Sequence, residues 1–171
     1  MLKRIKNNVE DHKLIDNGRV VYDVTSVELP TIEHPTSEIK ASGMAGTFEV
    51  PNEAEVNAME LSVHHNGGEN SERLADGGRH EIEFRTVRQS FNVAESSMDH
   101  ESVKYRFTCF HKSSDGGEVE AGNPLPGVDK FSVVRYEKIV SGNTVVLIDI
   151  ASGIIRINGT DYAGKVQNLL N

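Results

Sequence analysis

The sequence predicts a mainly antiparallel β fold, sandwich or barrel-like. Two observations predict it: segments rich in Val, Ile, Thr, Phe and Tyr that alternate apolar and polar residues with a period of two, and glycine-bearing turn signals that separate them. The turn signals are Asp16-Asn17-Gly18, Asn66-Gly67-Gly68, Asp76-Gly77-Gly78, Asp115-Gly116-Gly117, Ser141-Gly142-Asn143 and Ile157-Asn158-Gly159. Gly and Asn tolerate the positive φ that tight strand connections need. A third observation bounds the size: 171 residues, 37% of them hydrophobic, suffice for one domain over 1–171 with a real core.

Taken in order, strands are predicted at 19–29, 44–50, 56–64, 80–91, 101–112, 130–140, 144–151 and 154–157. In 80–91, Ile82, Phe84 and Thr86 fall on one face and Glu81, Glu83, Arg85 and Gln89 on the other. In 101–112, Val103, Tyr105, Phe107 and Cys109 alternate with Lys104, Arg106 and Thr108. Strands that are half polar in this way leave one face in water, and they also suit a sheet curving around a wide aqueous opening. Two short helices are predicted. Residues 70–75 follow a Gly pair and offer Asn70 or Ser71 as an N-cap, and 162–170 place Val166, Leu169 and Leu170 at helical spacing. A loop is predicted at 118–129, which holds two prolines and two glycines.

The stretch 28–50 follows neither period. After Leu29-Pro30 it carries Ile32, Pro35, Ile39, Ala41, Met44 and Ala45 among polar residues, more apolar surface than a solvated linker needs. Structureless connections longer than about 12–15 residues are uncommon in small domains. Ordering 31–47 costs on the order of 17–34 kcal/mol at roughly 1–2 kcal/mol per residue. Offsetting that at about 25 cal/mol per Å² takes on the order of 1000 Å² of apolar burial. An obligate interface supplies such an area, so 31–47 is expected to be a long loop that packs on another copy of the chain.

Composition excludes several classes. The formal charge is −8 and the basic residues are scattered, which disfavours a nucleic-acid-binding surface. No run approaches the roughly 18 apolar residues of a membrane span, and no signal peptide or anchor is expected. The lone Cys109 lies inside an apolar-alternating strand, so a buried free thiol is expected.

Catalytic and metal chemistry finds no support. Of the seven histidines only His64-His65 are adjacent, and neighbours on a strand point to opposite faces. Glu49, Glu53, Glu55 and Glu60 form an acidic patch with no partner base at fixed spacing. The chain has no GxSxG elbow, no phosphate-cradling P-loop and no GxGxxG. No enzyme activity, no cofactor and no metal are expected.

Two groups of residues then carry a resemblance. Near the start, Val27-Glu28-Leu29-Pro30 is followed by a polar stretch, by Gly43-Met44-Ala45-Gly46, and by a β segment containing Phe48 and ending at Val50. Near the end come Val146-Leu147-Ile148-Asp149-Ile150 and Ile155-Arg156-Ile157-Asn158-Gly159-Thr160-Asp161. In order and wording these resemble the major tail tube proteins of contractile phage tails and phage-tail-like bacteriocins.

The resemblance implies six copies in a ring whose inner strands join into one barrel, with rings stacked as the inner tube of the tail. It implies a role for Leu29, Pro30, Ile32, Ile39, Gly43, Met44, Gly46 and Phe48 in an inter-subunit loop. It marks Ile148, Asp149, Asn158, Gly159 and Asp161 as a C-terminal motif. The implied partners are further copies, a tail sheath protein, and baseplate and tail terminator proteins, with DNA only as transient cargo and no membrane anchoring. The implied place is the inner tube of a virion or phage-tail-like particle assembled in the bacterial cytoplasm. The competing expectations are the tube of a type VI or extracellular contractile injection system, and a monomeric β-sandwich binding module.

Overall fold

The alternation read in 80–91 and 101–112 becomes the longest hairpin of the molecule. In the structure, a computed structural model that describes residues 3–171, β7 (Arg79–Asn92) and β8 (Ser97–Asp115) pair antiparallel along 14 successive positions. The other strands are β1 (Arg4–Asp16), β2 (Arg19–Val21), β3 (Val24–Glu28), β4 (Thr36–Ile39), β5 (Phe48–Pro51), β6 (Met59–His65), β9 (Gly127–Val140), β10 (Asn143–Asp149), β11 (Ile154–Ile157) and β12 (Thr160–Asp161). A 3-10 helix spans Ser71–Ala75 and α1 spans Tyr162–Asn168.

Among the described residues, ten strands form one antiparallel sheet in the order β12-β11-β10-β9-β8-β7-β1-β2, with β6 on β9 and β3 on β6, and β4 and β5 pair only with each other. The sheet must bend, because β9 serves two neighbours. Its first half pairs with β6 and its second half with β10. The register slips between Thr108 and Cys109 opposite Val133 and Arg135, and a bulge of this kind kinks and twists a strand. The curl brings β1 back to β3, where the His12 ring lies 2.8 Å from the Val24 carbonyl oxygen. Inside it, Phe107, Phe131, Leu14, Leu61, Ile82 and Ile148 are almost fully buried. The inward residues of β7 are those the sequence places on one face, with His80 joining them.

The mainly antiparallel β architecture is as expected, and several elements differ. The predicted strand 19–29 is two strands broken at Tyr22 and Asp23, Asp23 taking φ 57°. The first strand, β1, was not predicted: RIKNNVEDHKLID is exposed for most of its length, so no buried face imposes a period on it. Strands predicted at 44–50 and 56–64 begin later, at Phe48 and Met59. The helix predicted at 70–75 is a single 3-10 segment. Asn70 does not cap it with its side chain but donates to the Val20 carbonyl at 2.8 Å. The C-terminal helix stops at Asn168, and Val166, Leu169 and Leu170 remain exposed rather than facing the core.

Gly68 shows how tightly the β2–β3 junction is held. A Cβ there would lie 2.6 Å from both the Tyr22 carbonyl oxygen and Asp23 Oδ2. Neither neighbour is free to retreat, since Tyr22 N–H donates to the Glu69 carbonyl and Asn66 N–H to that of Asp23. Gly68→Ala is expected to cost about 1–3 kcal/mol, read as a lower denaturant midpoint at unchanged slope.

Candidate assembly site

The stretch expected to be an irregular loop is instead a two-stranded arm. Residues β4 and β5 pair in the register Thr36↔Pro51, Ser37↔Val50, Glu38↔Glu49 and Ile39↔Phe48. Three bonds at its root continue the zipper: Asn52 N–H to the Pro35 carbonyl at 2.7 Å, the His34 ring to that of Glu55 at 2.6 Å, and Asn57 N–H to that of Glu33 at 2.7 Å. The sequence concealed this because Thr36-Ser37-Glu38-Ile39 offers a single apolar side chain from which to read a period.

Alternation gives the arm two unlike faces. Ile39, Phe48 and Val50 share one, while Glu38 and Glu49 stand opposite each other on the second. Like charges directly opposite destabilise a hairpin. At the tip, Met44 N–H donates to the Ala41 carbonyl, Gly43 takes φ 90°, and Gly46 has open space around it. Ile39, Met44 and Phe48 are 41%, 38% and 52% exposed. Leu29 is exposed, Pro30 is buried, and Ile32 packs against the core of its own chain. The free-standing arm therefore begins after Ile32. Residues 28–55 hold six glutamates against the single Lys40, so most of the chain's acidic excess is concentrated there.

A second exposed device is the far end of the β7–β8 hairpin with β1 beside it. The strand β2 pairs with β1 only from Leu14 to Asp16, which leaves the outer edge of β1 before Leu14 without a partner among the described residues. On the other side β9 ends at Val140 opposite Val103 and the Ser102 carbonyl accepts from Ser141 N–H, so 97–101 of β8 pairs with β7 alone. This three-stranded tongue exposes Ile5, Val9, Val87 and Met98.

Glu101 ties the tongue together. Its carboxylate is nearly buried and accepts from Lys6 Nζ and Arg88 Nε, each at 2.7 Å, and these bonds hold its pKa below the usual carboxylate range. The stability it contributes is fully present above that range and is lost as the pH falls through the depressed folded value. Glu101→Gln is expected to flatten the acid side of a plot of melting temperature against pH. Sequence reading missed this clamp because Lys6 and Glu101 are 95 positions apart.

The C-terminal motif residues stabilise local structure. Ile148 is fully buried. Asp149 accepts from the Ser152 N–H and hydroxyl, each at 3.1 Å, closing the β10–β11 turn. Asn158 and Gly159 both take positive φ, 50° and 83°, as a two-residue hairpin turn requires. Asp161 caps α1, accepting from Gly164 N–H at 2.9 Å.

Elsewhere Cys109 is buried as expected, and burial pushes its thiol up to about 12. His64 and His65 diverge. His65 Nε2 meets the Asp129 carboxylate at 2.7 Å, His111 reaches its other oxygen at 3.1 Å, and His64 approaches Glu28 at 3.4 Å. Among the described residues no three such side chains form a group able to hold a metal ion, and no helix is long and apolar enough to cross a membrane.

Comparison with known proteins agrees with this geometry. The family model for phage tail tube protein FII matches residues 8–170. Among solved structures, the fold is similar to a chain in the cryo-EM structure of an extracellular contractile injection system, the PVC sheath-tube complex in its extended state. The identity is 14% and the TM-score 0.50, over 77% of this chain and 89% of that one. A chain of the cryo-EM structure of the anti-feeding prophage baseplate matches at 10% identity and TM-score 0.41, over 77% and 91%. No curated protein matches. With the family model covering almost the whole length, the chain belongs to the phage tail tube protein FII family and is a structural subunit of a tail tube.

Proposed function

We propose that the chain builds a hollow rod by joining six copies edge to edge into a closed ring and stacking rings around a central channel. The observation that carries this is the arm, whose strands pair with no other strand among the described residues and hold Ile39, Met44 and Phe48 out in water. Such an arm is stabilised when a neighbouring copy covers its apolar face. The open edges of β1 and β8 complement each other in the same way, since strand addition satisfies their free backbone groups. A ring is a head-to-tail contact that closes, and axial stacking is one that does not. The number six rests on the family resemblance.

In this reading Leu29, Pro30 and Ile32 anchor the root of the arm. Ile39, Met44 and Phe48 insert into the neighbour, and Gly43 and Gly46 shape the tip. The tube lies inside a sheath, ends at a baseplate and a terminator, and conducts DNA, protein or ions without catalysis. It assembles in the bacterial cytoplasm within a contractile phage tail or phage-tail-like particle. The origin of the similar fold in a sheath-tube complex supports the sheath as a partner.

The test is assembly. Phe48→Asp and Met44→Asp each place a charge where apolar burial is expected, at a cost of several kcal/mol for an unpaired charge. Both variants, and a deletion of 38–42, are expected to remain folded monomers by circular dichroism and size-exclusion chromatography. They are expected to form no rods under negative stain. Normal rods from these variants would overturn the role given to the arm.

A further inference from the structure

We propose that the chain modifies itself at Asn66-Gly67, where His65, oriented by the buried Asp129, is the base that converts the Asn66 side-chain amide into an acid with release of ammonia. The reaction runs within one subunit, once, and does not depend on the tube reading.

An Asn-Gly step is chemically labile because the backbone nitrogen of the glycine, unhindered by a Cβ, can attack the side-chain carbonyl carbon of the asparagine. The chain holds three such steps, Asn17-Gly18, Asn66-Gly67 and Asn158-Gly159. The attacking nitrogen must first give up its proton, so a positioned base at that hydrogen raises the rate.

At Asn66-Gly67 the base is in place. Gly67 N–H donates to His65 Nδ1 at 3.2 Å. A ring nitrogen that accepts this bond carries a lone pair, so the hydrogen of the neutral imidazole is on Nε2. It points at the Asp129 carboxylate, 2.7 Å away. Asp129 is 4% exposed, and its other oxygen accepts from the Ser114 hydroxyl and faces the His111 ring at 3.1 Å. The His65 ring is fixed in its plane as well, since a Cβ at Gly127 would collide with its Cε1. Glu72 and Asp115 line the small cavity on this side of the ring. Carboxylate, imidazole and proton donor thus stand in the order of a serine-hydrolase triad, with a backbone N–H in place of the hydroxyl. Gly67 takes φ 69° and Asn66 is exposed to water.

The other two steps serve as controls within the same molecule. Asn17 and Asn158 take φ 47° and 50° in two-residue turns that strands close on both sides, β1 with β2 and β11 with β12. The Asn17 side-chain oxygen is also tied to Glu81 N–H at 3.0 Å.

In the reaction Gly67 N–H passes its proton to His65 Nδ1 as the nitrogen bonds to Asn66 Cγ. The bond from Cγ to the side-chain nitrogen then breaks, and the imidazolium proton leaves with that nitrogen as ammonia. A water molecule opens the resulting cyclic imide to aspartate or isoaspartate. Water enters, ammonia departs, and nothing is oxidised or reduced. The product adds a negative charge, and the iso form lengthens the main chain beside Gly68, where Tyr22 and Asp23 leave no slack.

The test is peptide mass mapping of the purified native chain incubated in heavy-oxygen water, which marks each newly made acid. In the folded chain Asn66 is expected to convert on the order of tenfold faster than Asn17 or Asn158, and in urea the three rates are expected to converge. The rate at Asn66 is expected to rise with pH and level off once His65 is neutral, while that at Asn158 keeps rising as hydroxide takes over. His65→Gln is expected to bring Asn66 down to the rate of Asn158. Asp129→Asn, which removes only the positioning carboxylate, is expected to slow Asn66 and to shift its levelling-off along the pH axis. Conversion of Asn66 no faster than Asn158 in the folded native chain would overturn the proposal, and so would an excess that survives in folded His65→Gln. Should either variant fail to fold by circular dichroism, the native pH profile decides, and a rate at Asn66 that never levels off refutes the base.

Discussion

Replacing His80 by Leu is expected to lower the unfolding free energy by about 3–5 kcal/mol, the largest loss from any single polar side chain in this fold. His80 is 1% exposed, and so is Asp16. The ring Nδ1 lies 3.0 and 3.1 Å from the two Asp16 oxygens, and Nε2 lies 2.7 Å from the Asp76 carbonyl oxygen. Both ring nitrogens therefore face oxygen acceptors. Leu fills much of the volume but strands the Asp16 carboxylate in a site that water does not reach. Domains of this size have only about 5–15 kcal/mol in total. The double variant Asp16→Leu with His80→Leu is expected to recover a large part of the loss. A double-mutant cycle in urea measures it, and simple additivity of the two single losses would refute the pairing.

The same pair makes stability depend on pH. Burial works against charge on His80, but the Asp76 carbonyl and the Asp16 carboxylate outweigh it and hold its pKa above the ordinary 6.5. Burial likewise lifts the Asp16 carboxyl above its ordinary value. The folded chain thus binds these protons more tightly than the unfolded chain. The contribution of His80 is fully present below 6.5 and is lost as the pH rises through its raised folded value. The urea midpoint of the native chain is expected to fall on the alkaline side of 6.5. The fall is expected to be smaller in the double variant.

The second large loss is expected from Phe131→Ala, about 3–5 kcal/mol. Phe131 is fully buried where β9 is flanked by β6 and β8, opposite Leu61 and His111. It meets the rings of His80 and His111 edge-on, with centroids 5.2 and 5.6 Å away. Truncation leaves a cavity walled by sheet on both sides, where the backbone hydrogen bonds resist collapse. Phe131→Leu retains most of the volume and is expected to cost less than half as much, and calorimetric melting temperatures distinguish the two. Phe131 lies away from the arm and the tongue, so rods of either variant are expected to form at temperatures where the subunit is folded.

The elements that were legible in the sequence are those with one face in the core and one in water. Strand β7 shows this, because Ile82, Phe84 and Thr86 alternate with charged residues over a length no helix would tolerate. The C-terminal turns were legible for a different reason, as Asn158-Gly159 has few ways to fold other than a tight hairpin. The arm and β1 were hidden. The arm has no face on the core of its own chain, and the exposed half of β1 gains its order from backbone pairing that leaves no mark on side-chain pattern. His80 could have been found, since its position shares a parity with Ile82 and Phe84. Its partner Asp16, 64 residues away, could not.

The sequence by itself determined the antiparallel β character, the buried thiol and the turn positions, because alternation and turn chemistry act between residues a few positions apart. Only the tertiary structure decided that the acidic segment is a paired arm, that Glu101 clamps Lys6 and Arg88, and that His80 meets Asp16 in the core. These depend on which strand lies beside which, and strand pairing joins residues by register across the sheet rather than by nearness in the chain.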